Sequence, residues 1–405
     1  MIFVPVDTSA VDNNCRELCY NYCQIAKDDS IFMMLDMGGV RRGEMNNSEN
    51  VDYGTYEVSL ERSKKLEADI VSHPRNYRVL TGDRPTGRLH VGHLFGSLQN
   101  RVRLHRLGVQ SYILIADYQV LTDRDSVESI SENVRQVTMD YLAVGINPDD
   151  GKTFIFPHSH VPELNQLVVP FLTLVTNAEL NRNPTVKEEI QASGHRRINA
   201  GMYIYPVHQA ADILFCKANV VPVGKDQLPH LELTRVIARR FNERFAEQQP
   251  VFPEPQALLS QAPVVLGLDG SQKMSKSRNN AIMLSATEDE TVALIKKAKT
   301  DTERHITYDP SNRPEVSNLI NLIALASGTS SEAVAQDIGD GGAAQLKKVL
   351  AETINEYLRP FRARRKEIES DMGYITAVLK AGIKQARSVG EQTLLEVRRV
   401  MNMEL

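Results

Sequence analysis

The run Tyr77-Arg-Val-Leu-Thr-Gly-Asp-Arg-Pro-Thr-Gly-Arg-Leu-His-Val-Gly-His93 begins as a strand and ends as a helix. Tyr77 to Gly82 is strand-like, and Leu94, Leu98, Val102 and Leu107 then mark one face of a helix that Gly108 ends. Ser111-Tyr-Ile-Leu-Ile-Ala-Asp117 follows, a continuous apolar run of the kind buried on both faces of a parallel sheet. A helix expected over 126–145, with Ile130, Val134, Val137 and Tyr141 on one face, precedes a third strand, Thr153-Phe-Ile-Phe156. This β-α-β-α-β order implies an α/β fold with a Rossmann-like doubly wound parallel sheet, whose ligands sit at the carboxyl ends of the strands. Helical segments are expected over about 162–216, then a strand at Val220-Val-Pro-Val223 and a helix to Asn242. Beyond Lys297 no strand pattern survives: Leu346, Val349, Leu350, Ile354, Tyr357, Leu358 and Phe361 give a long amphipathic helix, with a kink expected near Pro360. The expected organisation is a catalytic domain over 76–297, containing a helical insertion at about 160–217, followed by a C-terminal α-helical domain over 298–405.

Composition bounds the function. With 42% apolar and 24% charged residues in 405, the chain is neither disordered nor collagen-like. No apolar run approaches the roughly 20 residues that span a bilayer, and the start lacks a signal peptide's basic and apolar regions. A cytoplasmic protein without a membrane contact is expected. A net charge of −4 argues against a basic coat, so any nucleic-acid contact must come from local patches. Residues 1–75 hold eight Lys or Arg against thirteen Asp or Glu and read as an acidic, poorly ordered N-terminal extension with short helices at 12–27 and 58–70. It is either a regulatory appendage or upstream sequence included by an early start site, and the second reading is preferred. Cys15, Cys19 and Cys23 recur every four residues, but no paired fourth ligand follows, so reduced thiols and no metal site are expected.

The chemistry lies in two loops. Gly82 and Gly87 have the spacing of a phosphate-binding P-loop, but Arg88 and Leu89 stand where Lys and Ser or Thr are required. No G-x-G-x-x-G turn supports a dinucleotide. What remains is a glycine-containing loop that carries His90 and His93 into a helix amino terminus, where backbone amides and the dipole favour an anion. Alone, two such histidines would as readily cap or pack. Gly267-Leu-Asp-Gly-Ser-Gln-Lys-Met-Ser-Lys-Ser277 supplies the second element, a glycine-rich loop with two ammonium groups three residues apart. A surface K-x-x-K is ordinarily a solvated face. Beside a triphosphate, such lysines stabilise charge moving onto departing pyrophosphate.

Together the two loops resemble the class I aminoacyl-tRNA synthetases, whose ATP signatures HIGH and KMSKS appear here as His90-Val-Gly-His93 and, unaltered, Lys273-Met-Ser-Lys-Ser277. Tyr205-Pro-Val-His-Gln-Ala-Ala-Asp-Ile-Leu214 and Val221-Pro-Val-Gly-Lys-Asp-Gln-Leu-Pro-His-Leu-Glu-Leu-Thr-Arg235 resemble the bacterial tryptophanyl type, and the resemblance covers about 77–405. It implies activation of tryptophan by magnesium-bound ATP and transfer to tRNA, with no tightly bound cofactor. In that scheme His90, His93, Lys273, Ser275 and Lys276 are catalytic. Arg84, Pro85, Thr86, Gly92, Gly224, Lys225, Asp226, Met274 and Ser277 join the ATP site. Asp212 would accept from the indole N–H, Tyr205 and Gln227 would hold the amino-acid end, and Gln209 and Val223 would line the pocket. A buried carboxylate is the acceptor an N–H-only ring needs. Many members carry Gln and Asn at Arg84 and His93, and an apolar residue at Gln209. The resemblance also implies a homodimer built near 160–200 and anticodon reading by the helical domain, where Arg359-Pro-Phe-Arg-Ala-Arg-Arg-Lys366, Arg387, Arg398 and Arg399 form a tRNA patch or else a solvated helix face. The chain has no tryptophan, so it is made without consuming its expected substrate. A tyrosyl-specific synthetase and a tryptophan-binding paralogue without charging activity are rival readings, and a small-molecule adenylyltransferase with the same nucleotide loop is disfavoured by the helical C-terminal hundred residues.

Overall fold

The computed structural model describes residues 56–122, 128–187, 199–259, 265–270 and 272–404. The helix expected at 12–27, with Cys15, Cys19 and Cys23, lies outside them. Five parallel strands form one sheet: β1 (Arg78–Asp83), β2 (Gln110–Ile115), β3 (Thr153–Pro157), β4 (Val220–Val223) and β5 (Gln256–Leu259), in the order β3-β2-β1-β4-β5. Side chains alternate across it. On β2, Ile113 and Ile115 enter one core with Val137 and Leu319, whereas Tyr112 and Leu114 enter the other with Phe156, Phe215 and Phe241. Burial on both faces explains the uninterrupted apolar run in this strand.

The helices follow the expected alternation. After β1 comes α2, made of Val91–His93, a π-turn over Leu94–Leu98 and Gln99–Arg106. Next are α3 (Ile130–Ala143), α4 (Ala200–Leu214) and α5 (Leu228–Phe245), with short helices Pro162–Asn165, Val168–Leu172 and Asn177–Arg182 before α4. Helices α6 (Glu288–Lys296), α7 (Pro314–Ser327), α8 (Ser331–Ile338), α9 (Gly342–Glu369) and α10 (Met372–Val400) complete the chain, and α9 runs through Pro360 as one helix.

Two boundaries differ from the expected ones. The helix anticipated at 58–70 is α1 (Tyr56–Ser72), and it belongs to the folded body rather than to an extension ending at 75. Its Leu66 and Ile70 are buried against Val79, Val220 and Leu258, and Ser63 Oγ accepts from Leu259 N at 2.8 Å. The residues after 298 are helical as expected, but Tyr53–Leu405 is a single compact unit. Gly382 shows why: a Cβ there would sit 2.0 Å from the Ile155 carbonyl oxygen, so only glycine lets α10 lie directly on β3. Strand β5 was not anticipated.

Candidate active site

The carboxyl end of β1 is a buried charged frame. Arg101 of α2 donates to Asp83 Oδ2 at 2.5 Å, Thr81 Oγ1 at 2.9 Å and the Gly82 carbonyl, and the Tyr141 hydroxyl donates to Asp83 Oδ2 at 2.6 Å. Burial alone would raise the Asp83 carboxyl, but the Arg101 guanidinium holds it well below the usual carboxylate range. A second buried acid supports the loop itself. Asp140 of α3, fully buried, accepts from Leu89 N at 2.9 Å and from Arg365 Nε of α9 at 2.7 Å. Burial pushes its pKa up and Arg365 opposes that.

These frames present His90 and His93 with ring centroids 3.8 Å apart. His90 N donates to His93 Nδ1 at 3.2 Å, so the remaining proton of a neutral His93 is on Nε2, available as a donor. Burial lowers both pKa values, that of His90 to about 3, with His93 and Lys273 adding to the shift. Both rings are therefore neutral at pH 7. His90 Nδ1 is buried without a partner, a polar atom that a phosphate-bearing ligand would satisfy.

The lysine loop lies against this first loop. His90 and Met283 form an antiparallel bridge, Val91 N donates to the Ile282 carbonyl at 2.9 Å and Leu284 N to the Leu89 carbonyl at 3.0 Å. At Gly87, with φ +135°, a Cβ would sit 2.7 Å from Lys276 Nζ. Lys273 and Lys276 are exposed, whereas Met274 is buried in the core with Leu89 and Ile282. Met274 thus anchors the loop by packing. Buried Asn280 accepts from Ser275 N at 2.8 Å and donates to Asp269 Oδ1 at 3.1 Å. Asn318 of α7 binds Leu266 N and the Leu266 and Gly267 carbonyls at 3.0–3.2 Å.

The other half of the site is one face of α4, where Tyr205, His208, Gln209 and Asp212 recur at helical spacing. Arg84 joins the halves, with its guanidinium 5.9 Å from the Tyr205 ring centroid and Nε donating to Gln119 Oε1 at 3.2 Å. The Tyr205 hydroxyl is 2.9 Å from His230 Nε2, while His230 Nδ1 faces the Asn183 amide. Burial, helped by Arg84, lowers the His230 pKa to about 4, so the ring is neutral, and with Nδ1 accepting from the Asn183 amide its Nε2–H donates to the Tyr205 hydroxyl. Asp212, 2% exposed, bonds through Oδ1 to His158 Nδ1 at 3.1 Å. Val223 ends β4 buried. Gly224, Lys225 and Asp226 follow in the exposed turn that opens α5, where Gln227 Nε2 donates to Asp226 Oδ2 at 3.0 Å.

The model for tRNA synthetases class I (W and Y) matches residues 73–359. The chain belongs to this class I family. Two curated relatives named tryptophan–tRNA ligase group the synthetase with the bacterial tryptophanyl type. That of Clostridium longisporum is 42% identical over 80% of this chain and 97% of its own, and that of Thermotoga maritima 40% over 80% and 99%. The crystal structure of tryptophanyl-tRNA synthetase from Campylobacter jejuni with ADP and tryptophan superposes with a TM-score of 0.68 at 27% identity, covering 80% and 99%.

The synthetase thus brings residues from four separated segments together, including Arg84 with Tyr205 and Gly87 with Lys276. Ser277 contributes backbone to the turn Lys276–Arg278, and its side chain lies outside the described residues. Five supporting residues were not singled out from sequence: Asp140, His158, His230, Asn280 and Asn318. Of these, His230 carried a signal, a histidine on the buried face of α5 next to Leu231 and Thr234. The arginine run differs from the expected patch. Arg365 is spent on Asp140, Arg364 Nε binds the Leu142 carbonyl at 2.9 Å, and Arg362 binds Asn355 and Thr291, so these three fasten α9 rather than forming a free patch. Among the described residues, His158, His208 and Asp212 are the group with metal-ligand spacing, their atoms within 4.8 Å. His158 has no free nitrogen, because Nε2 accepts from Tyr118 N at 2.9 Å and Nδ1 faces Asp212. Among the described residues no helix is long and apolar enough to cross a membrane.

Proposed function

We propose that this synthetase activates L-tryptophan with ATP and transfers it to the 3′ end of tRNA(Trp). The observation that carries the reading is the lysine loop seated on the histidine loop, Lys276 against Gly87 and Met274 against Gly92, with Arg84 reaching from there to the amino-acid face of α4. Tryptophan's carboxylate attacks the α-phosphorus of ATP: a C–O–P bond forms, the bond between the α-phosphorus and the bridging oxygen breaks, and pyrophosphate leaves with that oxygen. The terminal ribose hydroxyl then attacks the acyl carbon of the adenylate and AMP leaves. No covalent enzyme intermediate is needed, because positioning and electrostatics suffice.

Neutral His90 and His93 donate to the α-phosphate, and Lys273, Lys276 and Ser275 stabilise the departing pyrophosphate. Pro85, Thr86 and Gly92 shape the phosphate side, and Gly224, Lys225 and Asp226 take the ribose and adenine side. ATP enters as its magnesium complex, the ion offsetting phosphate charge. Asp212 accepts the indole N–H; Tyr205 and Gln227 hold the ammonium and carboxylate; Gln209 and Val223 close the pocket. Transfer RNA meets the solvent-facing cations of α9 and α10, namely Arg359, Lys366, Arg398 and Arg399. Two copies associate through the segment near 160–200, where Val169 is 69% exposed. The protein works in the cytoplasm.

Pyrophosphate exchange with each of the twenty amino acids tests the reading. Tryptophan should dominate; tyrosine-dependent exchange exceeding it would overturn the assignment. Charging of total tRNA separates an enzyme from a sensor, since normal exchange with no charging would identify a tryptophan-binding paralogue.

A further inference from the structure

His158 has no assigned role, yet it is fully buried at the end of β3 with both nitrogens engaged. Its Nε2 lies 2.9 Å from the Tyr118 backbone nitrogen, and a backbone N–H can only donate. Nε2 is therefore the unprotonated nitrogen and the ring's single proton is on Nδ1. That proton points at Asp212 Oδ1, 3.1 Å away. Among the described residues no other side-chain hydrogen bond reaches Asp212, so Oδ2 is the open acceptor. The one competing arrangement is a proton on Nε2 directed at Asp117 Oδ1, 3.5 Å away. Asp117 is turned elsewhere, because Ser159 N donates to Oδ1 at 3.1 Å and the Ser159 hydroxyl binds Oδ2. His208, its ring 4.9 Å from that of His158, is committed through Nε2 to Asn165 Oδ1 at 2.8 Å.

We infer that His158 is a positioning residue for tryptophan selection: fixed as the Nδ1–H tautomer by Tyr118, it occupies one oxygen of Asp212 and leaves the other as the acceptor for the indole N–H. The inference rests on the assignment of Asp212 as that acceptor. Without the imidazole donor the carboxylate is free to rotate, and a buried acceptor no longer aimed at the ring stops discriminating N–H from a group that lacks it.

The test is pyrophosphate exchange by the full chain with tryptophan and with β-(3-benzothienyl)alanine, in which sulfur replaces the indole N–H. The wild type should prefer tryptophan by on the order of 100-fold or more in kcat/KM. His158→Phe fills the space without donating and should cut that preference at least tenfold through the KM for tryptophan, leaving the KM for ATP unchanged. His158→Gln can accept from Tyr118 N–H and donate to Asp212, and should restore most of the preference. Asp212→Ala separates the two levels of the argument. If it leaves the preference intact, the parent assignment fails; if it abolishes the preference while His158→Phe does not alter it, the role of His158 is overturned and Asp212 stands. Should His158→Phe not fold, histidine ¹⁵N shifts in the unmutated protein decide: the Nδ1–H tautomer supports the inference, and an Nε2–H tautomer or an imidazolium at His158 overturns it.

Discussion

The two loops of the proposed ATP site are built in opposite ways. The loop from Leu89 to His93 is held from beneath by ionic frames buried in the core: Asp83 with Arg101 and Tyr141, and Asp140 with Arg365. The loop from Gly267 to Ser277 is held by neutral amides, Asn280 and Asn318, with one buried methionine, while its two lysines stand in solvent. Charge beneath the first loop is locked and the loop's imidazoles are neutral; charge on the second is free to move. The division suits a reaction in which the α-phosphate must be met by fixed donors while negative charge travels outward onto pyrophosphate.

The largest test of the comparison is Asp140→Ala. It removes the buried carboxylate partner of a 5% exposed Arg365, leaving it Gln136 and the half-exposed Glu369, and unties Leu89 N, so stability should fall by about 3–5 kcal/mol in denaturant unfolding. A loss under about 1 kcal/mol would mean that the frame is not what holds the first loop. Lys276→Ala probes the other side. Exchange kcat should drop on the order of 10²–10³-fold, with unfolding unchanged within about 0.5 kcal/mol. A stability loss like that of Asp140→Ala would show that both loops are fixed and would break the contrast. Asn318→Ala leaves the Leu266 N–H and two carbonyls without their side-chain partner, costing about 1–3 kcal/mol. Amide exchange should quicken over 266–280 while 89–93 stays protected. Equal quickening in both segments would show them to be one unit.

Strands β1 to β4 and both glycine-containing loops are readable because they rest on local patterns: apolar runs for the strands, and glycines, histidines and lysines at fixed spacings. Strand β5 is four residues long, follows Pro253 and Pro255, and has no alternation to betray it. The docking of α10 on β3 was not legible, since an amphipathic stripe says that a face is buried and not what covers it. The arginines of α9 misled for the same reason. Arg365 finds its carboxylate 225 residues away in sequence, and composition counts it as a surface cation. His158 and Asp140 were missed because a single polar residue beside apolar ones has no period; their importance comes from partners that only folding supplies.

The smallest effect concerns protons. His90 and His230 are buried and 7% exposed or less, with pKa values lowered to about 3 and 4 by burial first, and then by His93 and Lys273 at His90 and by Arg84 at His230. The unfolded chain returns each to about 6.5, so between those values the unfolded state binds more protons than the folded one, and stability rises with pH. The contribution of each histidine is fully present above about pH 7 and is lost progressively as the pH falls from about 6.5 towards the folded values of about 3 and 4. From pH 7 to 6 each should cost roughly 0.7 kcal/mol, small beside the lysine and aspartate effects but additive between the first loop and the pocket. His230→Gln should flatten the slope of unfolding free energy against pH by that amount, with the His90 share remaining. Stability that stays level from pH 7 to 5 would mean that both rings accept protons in the folded state. The first loop would then carry positive charge of its own, and the contrast between fixed neutral donors and mobile cations would disappear.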